Sequence, residues 1–245
     1  MSDNQPGTFA FTRYEQVEDA INTVVEEEFY QSDFFTSLHA GVYSMRQLRH
    51  FAIQYHYYSR HFPRVLGAAV SAMAPIDTWW VPLADNLWDE AGRGLPNKSH
   101  EKLYQTFLLS VDPEVPLDEN GIPPEAISPA VEKAIETFIR FFYHATPLEA
   151  MAAVGLGSEL FAGGVMGSIG RGLLHPAYNR IRPLNVLFWE AHADEHEPRH
   201  YQLCKDILVR FSDPADLQVM YQTGCQIARS EALMYKELHE EMSKL

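Results

Sequence analysis

Three histidines recur every fourth residue in the segment 192–200, at His192, His196 and His200. Because each residue of an α-helix turns by about 100°, a step of four residues advances by only about 40°. A helix therefore places the three imidazoles within about 80° on one face. Apolar residues precede and follow the segment, which favours a helix inside a bundle over a solvated, His-rich surface. The pattern predicts a metal site, because imidazole is a common ligand for Fe, Zn, Mn and Ni.

The rest of the chain shows helical periodicity, and the two-residue alternation of strands is almost absent. Ser44 and Asp77 are suited to cap helices, and Pro63 is expected to kink or break the second helix. A long proline-rich loop is expected over 111–129. Helices are expected over residues 13–30, 45–73, 77–90, 99–108, 128–144, 147–174, 183–211 and 213–244. The sequence thus predicts an all-α bundle of seven or eight helices.

Composition narrows the class of protein. The chain has 245 residues, of which 46% are hydrophobic, so we expect a single domain over 1–245 with residues 1–12 flexible. Its formal charge of −14 disfavours nucleic-acid binding, because no basic stripe can replace phosphate counterions. No signal peptide or membrane-spanning run is evident, and the two cysteines form no disulfide framework. We expect a cytoplasmic protein without membrane attachment.

Two further elements carry candidate ligands. Glu90 ends an apolar helix and His100 begins the next one after a Gly-Pro turn, so both could point into the bundle. Glu159 is the only carboxylate between Met151 and Met166, among apolar or small residues. Burying it is costly unless it is paired or binds a cation. We expect a metal ligand, and pairing with a buried Arg or Tyr is the alternative.

Together the candidate ligands would come from four helices: Glu90, His100, Glu159, His192, His196 and His200. Such a set could hold two metal ions and leave open positions for water, substrate or O₂. Structural zinc sites are usually closed and rich in cysteine, whereas mixed His and carboxylate ligands favour non-haem iron or manganese. Only Glu197 and His200 form a Glu-x-x-His motif, which argues against a ferritin-like arrangement.

In order and spacing, Asp89-Glu90 with His100, the lone Glu159 and the helix from His192 resemble the haem-oxygenase-like di-iron oxidases and oxygenases, over roughly residues 15–210. The segment 57–66 is similar to the second helix of that family. The resemblance implies a haem-oxygenase-like bundle, two Fe(II) ions as cofactors and O₂ as co-substrate. It also implies a small-molecule partner, such as an amine, an amino acid or a fatty acid, and allows a homodimer.

The last ligand helix departs from the His-x-x-x-Asp-x-x-His pattern of that family. His196 stands where Asp is expected, and Arg199 stands in place of the final His. Either His196 is a third imidazole ligand, or a one-residue bulge near Pro198 makes Glu197 the equivalent of the Asp. The triple-histidine version is slightly preferred here.

The resemblance also suggests a reaction, since one member converts a brominated tryptophan into a nitrile. We expect an oxidase that converts a tryptophan-like amino acid to a nitrile with loss of the carboxylate. An apolar slot for the indole could come from aromatic residues, although core packing explains them equally well: Trp79, Trp80, Trp88, Tyr55, Tyr57 and Tyr58. Arg171 could bind a substrate carboxylate or form a structural salt bridge. No catalytic residue beyond the ligands is assigned.

Other functions stay open at the level of the sequence. An N-oxygenase or a fatty-acid decarboxylase of the same family would use the same ligands. Three alternatives would not need these ligands. They are a metal-free cofactor-biosynthesis protein, a helical interaction module, and a haem protein with His39 as its proximal ligand.

Overall fold

The computed structural model describes residues 11–193 and 197–245, and over these ranges the chain contains helices and turns but no β-strand. In chain order the elements are α1 (Tyr14–Val25), π1 (Glu26–Tyr30), α2 (Asp33–His39), α3 (Met45–Ala72), α4 (Asp77–Glu90), a 3₁₀ turn (Pro96–Lys98), α5 (His100–Val111), α6 (Pro129–Phe141), α7 (Pro147–Val154), π2 (Gly155–Glu159), α8 (Leu160–Leu173), α9 (Leu187–Ala191), α10 (Glu197–Leu208) and α11 (Pro214–Met242). The predicted all-α class is confirmed.

Helix α3 runs unbroken through Pro63, so the predicted break is wrong. Ser44 caps its first turn by accepting a hydrogen bond from the backbone N–H of Gln47. Packing against α4, α5 and α6 holds the helix together across the position where proline removes one backbone hydrogen bond. The predicted helix over 183–211 begins later, at Leu187, because residues 183–186 have no regular secondary structure.

Aromatic side chains form the part of the core that supports the short helix α9. Trp189 of this helix is fully buried, with its ring centroid 4.9 Å from that of Tyr55 on α3. It also packs edge-on against Phe107 of α5 at 5.4 Å. Since α9 has only five residues, these contacts rather than its own hydrogen bonds fix its position.

The continuous segment α7–π2–α8 crosses the core between α10 and α11. A Cβ on Gly155 would lie 2.6 Å from the Cβ of Cys204 in α10, and a Cβ on Gly157 would lie 2.7 Å from the Cβ of Ile227 in α11. The two glycines therefore allow a close approach that no larger residue permits. This approach brings Glu159, at the end of π2, into the centre of the bundle.

The stretch Pro147–Leu173 is the one helix of the described residues that is long and apolar enough to cross a membrane. However, 67% of its most apolar window is buried inside the protein, as expected for the central helix of a bundle. Cytoplasmic localisation stays a prediction.

The predicted flexibility of residues 1–12 falls mostly on positions 1–10, outside the described residues. Phe11 is buried and its ring packs on Tyr221, with 5.0 Å between centroids.

We expect Gly157→Ala to lower the free energy of unfolding by about 1–3 kcal/mol, because the new methyl group meets the rigid stem of Ile227. Gly67→Ala is the matched control, since a Cβ there meets no atom within 4 Å. At this exposed helical position alanine should raise the free energy of unfolding by up to about 1 kcal/mol. Urea denaturation measures both changes, and equal effects at the two positions would contradict the close approach.

Candidate metal centre

A tight reversal between α4 and α5 places Glu90 next to His100. Glu90 is the last residue of α4, and Gly92 then turns the chain with a φ of 73°. A Cβ at this glycine would lie 2.6 Å from the carbonyl oxygen of Leu95, so the turn requires its absence. Ser99 caps α5, and His100 is therefore the first residue of that helix.

Glu90, His100 and His192 form a buried cluster. The His100 Nδ1 lies 2.9 Å from the Glu90 Oε1 and 3.0 Å from the His192 Nε2. The ligand atoms of all three residues lie within 4.8 Å of one another. One carboxylate and two imidazoles at this spacing could bind a single metal ion.

A hydrogen bond to the backbone sets the ring orientation of His192. Its Nδ1–H donates to the carbonyl oxygen of Phe188 at 2.6 Å, one turn earlier. In the neutral ring this leaves the lone pair on Nε2, the atom that faces the cluster. Residues 192–193 continue α9 with π-helical geometry, which is frequent at functional sites.

Glu159 and His200 form a second pair beside the cluster. The Glu159 Oε1 accepts a hydrogen bond from the Asn86 Nδ2 at 2.7 Å. Among the described residues its other oxygen, Oε2, has no hydrogen-bond partner, although Glu159 is only 2% exposed. The nearest ring nitrogen is the His200 Nδ1, 3.9 Å away. A buried carboxylate oxygen without a hydrogen-bond partner lowers the stability of the fold unless a cation binds it.

Asp89 supports His200 from the opposite side. The His200 Nε2 lies 3.4 Å from the Asp89 Oδ2, which leaves Nδ1 facing Glu159. Asp89 also forms ion pairs with Arg93 and Arg199. A carboxylate that holds the far nitrogen of a ligand histidine is the usual support at metal sites. Arg199, at the position of the expected final His, is thus directed at carboxylates of α4.

The electrostatics keep the carboxylates at the site ionised. Burial favours the neutral form of Glu90, but nearby His100, His192 and His200 outweigh it and lower the pKa of Glu90. Burial likewise disfavours protonated His100, but Glu90 outweighs it and the pKa of His100 is raised. For Asp89, burial is outweighed by the two arginines, and its pKa is lowered. Ionised carboxylates at neutral pH suit a cation site.

The structure therefore brings together five of the six residues predicted as ligands: Glu90, His100, Glu159, His192 and His200. The sixth, His196, lies outside the described residues, as does the side chain of Glu197. The choice between these two stays open, as does that between iron and manganese. Asn86 was missed, although its position one turn before Glu90 on α4 places both on one helix face.

A cavity of about 50 Å³ adjoins the cluster, and its lining combines two cluster residues with a mostly apolar and aromatic wall. The lining residues are Tyr55, Tyr58, Ser59, Phe62, Glu90, Ser158, Ala162, Met166, Phe188, His192 and Glu231. The tryptophans proposed for an indole slot are not among them: Trp79 packs on Phe211, and Trp88 is 55% exposed. Arg171 is exposed and does not line this cavity.

Glu231, on α11, is a titratable lining residue that was not predicted from the sequence. The Tyr235 hydroxyl donates to its Oε1 at 3.3 Å, and Tyr58 is also hydrogen-bonded to it. Burial raises the pKa of Glu231 to about 7, and the two hydrogen bonds oppose this only in part. The cavity therefore contains a carboxyl group that titrates near neutral pH.

An all-helical bundle with a buried carboxylate and histidine cluster next to a cavity defines a class of candidate metalloenzyme. A family model described as iron-containing redox enzyme matches residues 49–215, which is more than half of the chain and includes all six candidate ligands. The chain belongs to this family of iron-containing redox enzymes.

Solved structures extend the likeness in fold. A CADD-like protein of unknown function from Nostoc punctiforme has a TM-score of 0.75 at 14% identity, covering 93% of this chain and 97% of that one. A domain of unknown function with a heme oxygenase-like fold from Shewanella denitrificans has a TM-score of 0.71 at 14% identity, covering 94% and 93%. A TenA homolog from Pseudomonas syringae has a TM-score of 0.67 at 12% identity, covering 100% and 99%. The predicted haem-oxygenase-like fold is thus confirmed. No functionally curated protein matches the chain.

Glu231 should make the stability of the metal-free protein depend on pH. Its pKa is about 7 when folded but about 4.3 when unfolded, so ionisation destabilises the fold as the pH rises between these values. We expect the free energy of unfolding of Glu231→Gln, relative to wild type, to grow by about 2.5 kcal/mol from pH 5 to pH 8. The exposed Glu240→Gln, on the same helix, should show no such growth. A difference that is constant with pH would contradict the raised pKa.

Proposed function

We propose that this protein is a non-haem di-iron oxidoreductase that uses O₂ to oxidise a small amine or amino acid. The observation that carries the proposal is the pairing of two buried half-sites, one of Glu90, His100 and His192 and the other of Glu159 and His200. Dinuclear iron sites that combine carboxylate and histidine ligands from several helices are known inside helical bundles.

The donor set fits iron on two grounds. The first half-site offers one carboxylate and two imidazoles, a combination typical of non-haem Fe(II) sites that keep open positions. In the second, the Glu159 Oε2 lacks a hydrogen-bond partner among the described residues and faces the ring of His200. Fe(II) bound here would supply O₂ activation and the electron transfers that side chains cannot perform.

The protein itself orients the metal ligands and provides a cavity in which a substrate can lie against them. The Phe188 carbonyl and Asp89 fix the ring orientations of His192 and His200. Glu90 and His192 line the cavity, so a substrate held there would lie against the ligands of the first half-site. The small size of the cavity and its aromatic wall favour a small organic molecule.

Conversion of an amino acid to a nitrile is the specific reaction that we propose to test. The net change balances with O₂ as the only oxidant: the amino acid and one O₂ give the nitrile, CO₂ and two water molecules. Since the indole slot predicted from the tryptophans does not adjoin the cavity, smaller amino acids belong in the screen beside tryptophan. Mass spectrometry separates a nitrile from the hydroxylamine of an N-oxygenase and from the alkene of a fatty-acid decarboxylase.

The metal-free and haem alternatives receive less support. A metal-free enzyme with a cysteine nucleophile, such as a thiaminase, needs a reactive thiolate. Burial raises the pKa of both Cys204 and Cys225, which disfavours this chemistry. His39, the residue considered as a haem ligand, is exposed and its Nε2 is hydrogen-bonded to Ser168.

Anaerobic Fe(II) titration tests the proposal. We expect two Fe(II) per chain in the wild type, and at least one fewer in His192→Ala and in His200→Ala, because each removes a ligand from one half-site. His144→Ala, at an exposed position, is the control and should keep the wild-type stoichiometry. Less than one iron per chain, unchanged in the ligand variants, would overturn the di-iron proposal. Circular dichroism confirms that each variant is folded.

Asp89→Asn should weaken Fe(II) binding by about 10–100-fold, because it removes the charge that holds the far nitrogen of His200. Asp85→Asn is the matched control, since Asp85 also pairs with Arg199 but is 46% exposed at its side chain. Equal Fe(II) affinities for the two variants would show that Asp89 has no special role in positioning His200.

A further inference from the structure

Helix α11 carries a carboxyl group, Glu231, at a half-buried position of the face that packs on the core. Every three or four residues along this helix a buried residue faces the core, in the series Leu217, Met220, Gly224, Ile227, then Met234, Leu238 and Met242. The register between Ile227 and Met234 places the missing member at Glu231. A carboxyl group thus stands where packing alone would favour an apolar side chain. Its desolvation is costly, which calls for a compensating role.

The surroundings of Glu231 supply donors but no cation. Tyr235 and Tyr58 are hydrogen-bonded to it, and Tyr55 lines the same cavity. Among the described residues, no Lys, Arg or His forms an ion pair with Glu231. An ionised carboxylate can accept about four hydrogen bonds, so two phenols leave it with spare capacity. A further hydrogen-bond donor can therefore approach Glu231 from the cavity.

We propose that Glu231 binds the ammonium group of an amine or amino-acid substrate in the cavity beside the candidate metal centre. That the bound amine is the substrate rests on the proposed function. The binding of a cationic amine by Glu231 does not itself require iron. The aromatic wall suits this partner, because the electron-rich faces of Tyr rings also attract ammonium groups. An apolar substrate chain would contact Phe62, Met166 and Phe188, which line the same cavity.

The titration of Glu231 agrees with this role. Burial without a cation raises its pKa to about 7, as expected for a carboxylate whose counter-ion comes with the ligand. At about pH 8 the carboxylate is mostly ionised while a primary alkyl amine is still protonated. Both charges needed for the ion pair are then present.

The test uses the metal-free full-length chain at about pH 8 with two probes of equal length, n-butylamine and 1-butanol. Ligand-observed NMR titration measures the dissociation constant of each probe. We expect the wild type to bind butylammonium at least about ten-fold more tightly than 1-butanol, because only the cation forms a charged hydrogen bond. Glu231→Gln should remove this preference and leave 1-butanol binding unchanged. The side chain keeps its size and its hydrogen-bonding ability, so the fold is retained.

Glu240→Gln is the matched control, because Glu240 is exposed on the same helix and the substitution removes the same charge. Non-specific attraction of amines to this acidic chain would fall equally in both variants. Only the specific site predicts that Glu231→Gln loses the preference and Glu240→Gln keeps it. Equal binding of the two probes by the wild type, no binding of either, or a preference that survives Glu231→Gln would each overturn the inference.

Fe(II) stoichiometry measured on the same variants separates the two proposals. Normal iron binding without an amine preference overturns the role of Glu231 and leaves the di-iron centre standing. An amine preference in a chain that binds no iron supports the cation site and overturns the proposed oxidase.

Discussion

The contact between Glu90 and His100 is the interaction on which the site depends. It joins the end of α4 to the start of α5 through a reversal that only glycine can make, and it lies among buried groups. Burial disfavours both charged forms, yet each partner shifts the pKa of the other towards its charged state. An ion pair of this kind adds little net stability, because desolvation offsets the attraction. A role in metal binding therefore explains this buried pair better than a contribution to folding stability does.

Support for the ligands comes from elements that are themselves rigid. The short helix carrying His192 is held by the aromatic packing of Trp189, and its ring is oriented by a backbone carbonyl. His200 is held by Asp89, which is in turn held by two arginines. Precise placement of ligands therefore depends on packing on one side of the site and on charge pairing on the other.

Spacing along single helices made much of the site predictable. His192 and His200 were predicted because a continuous helix would place both on one face, and Glu159 because burying a lone acid in an apolar run is costly. Of the residues predicted for an indole slot, Tyr55 and Tyr58 line the cavity but the tryptophans do not. Trp88 is two residues from Glu90, which is about 200° around the helix, so it lies on the opposite face. Asn86 and Glu231 needed knowledge of which helices meet. The stripe of α11 did mark Glu231 as an acid at a core position, but which partners it faces is a property of the fold.

Glu159 ends a π-helical turn, which contains one residue more than a regular helix would need. The site therefore depends on the number of residues in this segment as well as on their identity. Five residues of such a turn rotate the chain about as far as four residues of a regular helix, so α7 and α8 keep their directions across it. Loss of one residue in 155–158 would restore a regular helix and leave α8 almost in place. The change would act instead on the close contacts that Gly155 and Gly157 make with α10 and α11.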